Sequence, residues 1–258
     1  MTKAMQWNPD QYTLFKRERF APFFDLLNWI EKRHDMKVVD LGCGTGELTH
    51  QLSEYLPNAN IVGVDSSAEM LAKSIPFVKE NVSFAKRSIQ EQLAQEEQWD
   101  LIFSNAALQW IDDHATLIPR IVSKLKPGGQ LAIQIPAQND NILNLMILEL
   151  VQQEPYASAL GHWKRESPVL SIDDYAQILF ENGSKKQEVM QKVYPIIANH
   201  PNDLFEFISG STLIPYMERL NGEVREQFVA EFKNRITQRT KRLPALYSFK
   251  RNILYASY

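Results

Sequence analysis

Apolar residues along this chain follow two alternating rhythms. One is a short run of a buried strand's length; the other is a stretch where they return every third or fourth position, as on the face of a helix. Runs at Lys37 to Leu41, Asn60 to Val64, Val82 to Ala85, Leu101 to Ser104 and Gln130 to Ile135 predict strands. Helical spacing at Glu47 to Tyr55, Ala68 to Lys73 and Thr116 to Leu125 separates most of them. Strands alternating with helices specify a parallel sheet covered on both faces. Upstream, Gln11 to Arg33 has helical spacing, and Pro22 either divides it into two helices or kinks one. Lys126-Pro127-Gly128-Gly129 reads as the end of a helix and a turn into the fifth strand.

Beyond Pro136 the rhythm changes. Asn141 to Gln153 and Ile172 to Asn182 predict helices, the second ended by Gly183, and Val189 to Ala198 predicts a strand. Asn202 to Ser209 and Glu223 to Arg242 are helical in spacing, the longer one with Phe228, Phe232 and Ile236 on one face. Tyr247 to Tyr255 predicts a last strand. The expected fold is α/β: a seven-stranded, mostly parallel, doubly wound Rossmann-like sheet, with an antiparallel edge hairpin interrupted by a helical lid. Residues 1–36 then form an N-terminal helical segment, 37–136 the core, and 137–258 the lid insertions with the two strands that complete the sheet.

Composition narrows the function. With 258 residues, 44% of them apolar, and 13 Phe, 9 Tyr and 5 Trp, the chain can bury a large core and carry a cap. A formal charge of −3 gives no general attraction to nucleic acid or an anionic membrane. A single cysteine excludes an internal disulfide and argues against a cysteine metal site; no metal is expected. Cys43 is expected to pack beside a turn. Met1 to Asp10 holds no apolar signal core, and no apolar run reaches roughly 18 residues, so a cytoplasmic monomer without membrane contact is expected.

The chemistry concentrates at Val38-Val39-Asp40-Leu41-Gly42-Cys43-Gly44-Thr45-Gly46, where a strand runs into three alternate glycines. Glycine takes positive φ and, lacking Cβ, lets a ligand approach the backbone, so Gly42, Gly44 and Gly46 open a seat beside Asp40. The helix starting near Glu47 points its free N–H groups at that seat. Asp65, ending the second strand, suits the two ribose hydroxyls of a nucleoside, or else serves as a helix cap. A dinucleotide fingerprint needs a third glycine at the position of Glu47, and a carboxylate there repels a diphosphate but tolerates a ligand carrying ammonium and sulfonium groups. The pattern resembles the S-adenosylmethionine site of class I methyltransferases.

The resemblance extends along the chain. Trp7-Asn8-Pro9 with Tyr12 and Phe15, the glycine motif, Gly63-Val64-Asp65-Ser66-Ser67 with Met70-Leu71, and Ser104 to Trp110 with Asp113-His114 resemble the trans-aconitate 2-methyltransferase family. Tyr194, Phe207-Ile208 and Pro215-Tyr216 continue it more weakly. This resemblance implies methyl transfer from S-adenosyl-L-methionine to a carboxylate oxygen of a small polycarboxylic acid. It also implies an N-terminal lid containing Trp7 and Tyr12, although Trp7 serves equally as a core anchor. Ser66 and Asn105 fall within the same cofactor-binding motifs. Met70 suits either the adenine face or the core.

Three departures from the family's pattern stand out. Ser88 occupies the place of the acid that accepts the adenine amino group. Ile214 stands where the family carries an arginine before Pro215, and a bidentate carboxylate partner is lost if that arginine clamps substrate. Asn139 to Gln153 shows little likeness.

A carboxylate is already ionised at neutral pH, so orientation and water exclusion suffice and no acid or base residue is required. Gln109, Trp110 and His114 are the candidate donors that orient the acceptor, His114 alternatively being an exposed histidine. His162, Trp163, Lys164 and Arg165 form either a second donor cluster or a solvated loop. Seven basic residues, Lys233, Arg235, Arg239, Lys241, Arg242, Lys250 and Arg251, follow Phe232 with no acid among them. They read as a solvated face or as a dock for an acidic acyl carrier protein bearing a malonyl group. A non-catalytic S-adenosylmethionine-binding protein is the third reading.

Overall fold

The computed structural model describes residues 16–200 and 202–258. The expected strands are present as β1 (Lys37–Leu41), β2 (Asn60–Asp65), β3 (Val82–Lys86), β4 (Trp99–Asn105) and β5 (Leu125–Pro136). β1 lies between β2 and β4 and is parallel to both. The strand order therefore reverses between β1 and β4, and their carboxyl ends open the crevice where ligands bind in such sheets. In β1 every residue after Lys37 is buried, which is why the sequence shows a continuous apolar run there and no alternation.

Helices α1 (Lys16–Leu27), α2 (Glu47–Tyr55), α3 (Ala68–Ala72), α4 (Ile89–Leu93) and α5 (His114–Val122) accompany these strands. Pro22 lies inside α1, which continues across it as one helix. The turn expected at Lys126 to Gly129 is instead an irregularity within β5: Leu125 already pairs with Trp99, and the register resumes at Leu101 with Gln130. α5 starts before the expected Thr116, because the Asp113 carboxylate caps the Thr116 N–H at 3.2 Å. α4 escaped the periodicity because it is one turn long; its signal is the Ser88-x-x-Glu91 capping box.

Two compact units divide the chain. The sheet unit holds Pro22–Pro136, Pro168–Lys192 and Arg251–Tyr258. Its core includes Leu41, Ile102, Ile118, Ile133 and Leu254, all fully buried, each side chain contributing about 1.5–3 kcal/mol on leaving water. The helical unit includes Ala137–Ser167 and Val193–Lys250. It contains α6 (Ile142–Leu150) and α7 (Tyr156–Ala159), whereas α8 (Ile172–Glu181) belongs to the sheet unit. The helical unit continues with α9 (Asp203–Ser209), α10 (Ile214–Met217) and α11 (Gly222–Arg239). Phe228, Phe232 and Ile236, spaced by four along α11, fill its core with Phe205 and Tyr216.

β6 (Lys186–Ala198) and β7 (Ala245–Ser257) complete a seven-stranded sheet in the order β3-β2-β1-β4-β5-β7-β6. β7 runs antiparallel to β5, from Gln130 opposite Ser257 to Pro136 opposite Arg251. Among the described residues, no helix is long and apolar enough to cross a membrane.

Candidate functional site

The glycine turn after β1 is built onto the end of β2. The N–H groups of Gly42 and Cys43 both donate to the Val64 carbonyl, at 2.8 and 3.0 Å. Asp65 ties the same turn through its side chain: Oδ2 accepts the Gly44 N–H at 2.9 Å and Oδ1 the Ser67 N–H at 2.8 Å. Both oxygens are thereby fixed on backbone donors, and each keeps a lone pair for a ligand hydroxyl.

The glycines do different work. A Cβ on Gly42 would lie 2.2 Å from the Ala107 Cβ, so this glycine lets the loop after β4 close on the turn. Gly44, at φ +56°, has nothing within 4 Å of the same position and presents bare backbone to open space. Gly46 packs against Ser74 and Phe84 and precedes α2, whose N-terminus no side chain caps.

Asp40 is 3% exposed, and Thr49 Oγ1 donates to its Oδ2 at 2.6 Å. Burial raises its pKa to about 7, with repulsion from Asp65 adding to the rise and the Thr49 hydrogen bond opposing it. Thr49 gave no motif signal of its own; its place on the first turn of α2 brings it under Asp40.

A carboxyl whose folded pKa exceeds its unfolded value stabilises the fold at low pH, and that contribution is lost as pH rises from about 4 through about 7. The loss is on the order of 4 kcal/mol at most. Asp40→Asn, isosteric with the protonated acid, is expected to flatten this part of the ligand-free stability profile. Urea unfolding of both proteins from pH 4 to 8 checks it; parallel profiles would exclude a buried neutral Asp40. Burial first, then Asp40 and Asp65, also push the Cys43 thiol pKa up, so the thiol stays protonated and packs as expected.

The loop after β4 carries the other candidates. Asn105 ends the strand, and its Oδ1 is buried with no hydrogen-bond partner among the described residues. Gln109 is buried, and its Nε2 donates to the Ala106 carbonyl at 2.6 Å, within its own loop. Trp110 is 43% exposed.

His114, an acceptor-orienting candidate in the sequence, is an internal strut. It is 1% exposed, with Nε2 on the Leu108 carbonyl at 3.0 Å and Nδ1 on the Tyr175 hydroxyl at 2.5 Å. The carbonyl requires Nε2 to carry the proton, so the Tyr175 hydroxyl donates to Nδ1 while accepting the Leu170 N–H. Burial keeps the ring below its ordinary pKa and neutral. Neither nitrogen remains to hold a substrate; the ring pins this loop to α8.

Ser66 is exposed beside Asp65, and Met70, on α3, is 43% exposed. The Ser88 hydroxyl accepts the Glu91 N–H and donates to the Glu91 carboxylate, which uses most of its capacity in capping α4. Trp7 and Tyr12 lie outside the described residues.

In the helical unit, the segment read as either a donor cluster or a solvated loop is engaged in part. The Trp163 ring lies under the Arg219 guanidinium at 3.8 Å, Lys164 pairs with Glu166 at 3.0 Å, and the backbone N–H of Arg165 donates to the Tyr216 hydroxyl. The basic run is engaged in part, while Arg239, Lys241 and Arg242 are exposed and line one cavity. Arg235 is taken up by Glu231, Glu149 and Gln153, Lys233 covers the Phe205 ring, and Lys250 Nζ donates to the Asp140 carbonyl.

A family model described as a methyltransferase domain matches residues 32–195. The chain is 38% identical to a trans-aconitate 2-methyltransferase of Deinococcus radiodurans, over 98% of both chains. It is 34% identical to one of Mycobacterium tuberculosis, over 87% of this chain and 85% of that one. Among solved structures it is similar to phosphoethanolamine N-methyltransferase 2 of Haemonchus contortus in complex with S-adenosyl-L-methionine, at a TM-score of 0.55 and 18% identity. That alignment covers 92% of this chain and 51% of the other, so the chain spans about half the length of that neighbour.

Proposed function

Since the chain belongs to the class I S-adenosyl-L-methionine-dependent methyltransferases, in the family of the trans-aconitate 2-methyltransferases, we propose that it esterifies one carboxylate of a small polycarboxylic acid such as trans-aconitate. The observation that carries this reading is the pair of acids at the glycine turn: Asp65 clamped on the Gly44 amide, and Asp40 buried behind it. The Asp65 carboxylate beside bare backbone suits a cationic methyl donor and opposes a diphosphate, and a cation bound there would favour the ionised form of the buried Asp40 behind it. The open space at Gly44 and the uncapped start of α2 support the fit of the cofactor to these residues.

In this reading Asp65 takes the ribose hydroxyls and Ser66 lies beside them. Met70 and the remaining lone pair of Ser88 border the adenine. Asp40, Gly42, Gly44 and Gly46 line the amino-acid end, and Asn105 borders the reacting methyl. When bound, the cofactor would supply an electrophilic methyl group on a sulfonium: a carboxylate oxygen would bond to the methyl carbon as the carbon–sulfur bond breaks, leaving a methyl ester and a neutral thioether. The chain's own task is to hold that oxygen about 3 Å from the carbon and to exclude water. Trp110 orients the acceptor, and Gln109 and His114 hold the loop that carries it.

The test is turnover with methyl-labelled cofactor over a panel of free di- and tricarboxylic acids and malonyl-acyl carrier protein. Label is expected in the free acids, trans-aconitate among them. Label in the carrier alone would overturn the free-acid reading.

A further inference from the structure

Gln134 and Arg251 form a buried polar pair in the sheet. Gln134 is 1% exposed and sits between Ile133 and Ile135, both fully buried. Arg251 is 6% exposed, and its Nη1 donates to Gln134 Oε1 at 3.1 Å. A guanidinium can only donate, so this bond fixes the amide orientation: oxygen toward Arg251, Nε2 away from it. Among the described residues Nε2 has no acceptor, although a buried N–H without one is costly.

Register places the pair. Asn105 pairs with Gln134, Gln134 with Ile253, and Pro136 with Arg251, so Asn105, Gln134 and Arg251 lie on one face of the sheet. All three stand at the edge where β4 and β5 end and the sheet part of β7 begins, inside the sheet unit. Strands are about 4.8 Å apart, so Gln134 is one strand and Arg251 two strands from the end of β4. Asn105 adds a second orphan on that face: its buried Oδ1 has no donor among the described residues.

An always-charged guanidinium and an amide N–H without an acceptor, on one face of the sheet, suit a carboxylate. We propose that Arg251 and Gln134, with Asn105 at the rim, bind a carboxylate of the methyl acceptor that does not itself react, and so set specificity for acids with more than one carboxyl group. The inference rests on the carboxyl-methylation reading for its substrate class. The carboxylate accepts from Gln134 Nε2 and from the guanidinium, while Gln134 Oε1 keeps the arginine in place. Arg251 thus binds substrate directly, and Gln134 both binds and positions.

Calorimetry of trans-aconitate binding to the protein loaded with S-adenosylhomocysteine tests this, with thermal melting of each variant as a check on folding. Arg251→Gln is expected to weaken acid binding by about 30-fold or more. Arg251→Lys should recover part of that loss, and the affinity for S-adenosylhomocysteine should not change. Gln134→Glu supplies an internal carboxylate for Arg251; it is expected to fold and to lose acid binding by competition. Wild-type affinity in folded Arg251→Gln or Gln134→Glu, or no binding of trans-aconitate or any other polycarboxylic acid of the panel to the wild type, would overturn the inference. Acid bound but never methylated leaves it standing and removes the esterification reading. Methylation with an unchanged KM in the variants does the reverse.

Discussion

Asp65→Ala is expected to weaken S-adenosyl-L-methionine binding by about 100-fold or more, as read by calorimetry. Hydrogen bonds to a charged acceptor contribute about 1.5–3 kcal/mol each, and the site assigned to Asp65 offers two, one per ribose hydroxyl. The carboxylate arrives already oriented by the Gly44 and Ser67 amides, so binding loses little to ordering its side chain. Alanine also releases the Gly44 N–H from its acceptor and loosens the turn on which the ligand rests. Asp65→Asn keeps one acceptor oxygen and should fall between the two. A loss of less than about threefold in folded Asp65→Ala would remove Asp65 from the cofactor site.

Gly42→Ala is expected to be the most damaging single methyl group in the sheet unit. Its Cβ would overlap the Ala107 Cβ at 2.2 Å, far inside contact distance, and the residue sits at φ +77°. Left-handed backbone costs a non-glycine residue about 1–2 kcal/mol, and overpacking adds about 1–3. A total near 3 kcal/mol lowers the melting temperature of a chain this size by about 6–12 °C. Ala107→Gly in the same chain should recover the overpacking part and leave the backbone part. Gly44→Ala makes the contrast: nothing lies within 4 Å of its Cβ, so at φ +56° it should lose only the backbone part, melting a few degrees below the wild type and above Gly42→Ala, yet bind cofactor poorly. A Gly42→Ala protein melting within about 1 °C of the wild type would contradict the packing described here.

Much of the architecture was legible because the burial is two-sided. β1, β2 and β4 are buried on both faces, which produces unbroken apolar runs bounded by polar turns, and these located the strands to within two residues. Five-residue α4 is too short for a helical period, and the bulge at Lys126 to Gly129 carries turn chemistry inside a strand. Strand register and the two-unit division depend on contacts between distant segments, which one sequence does not encode locally.

The site divides in the same way. Asp40, the glycines and Asp65 stand in a local motif and were readable as one. His114 misled because a histidine near a crevice looks like a donor, while its tie to Tyr175, 61 residues away, is invisible in the sequence. Gln134 and Arg251 did leave a trace: a glutamine inside Leu131-Ala132-Ile133-Gln134-Ile135 breaks an otherwise apolar strand. A polar residue in such a run needs a partner, and the partner lies 117 positions further on.

The account stands or falls on the bond that forms to the transferred methyl group. Product from trans-aconitate and methyl-labelled cofactor, purified and treated with mild alkali, is expected to release all its label as methanol, as a methyl ester does. Label that survives alkali would place the methyl on nitrogen or carbon and contradict carboxylate esterification as the reaction of this enzyme.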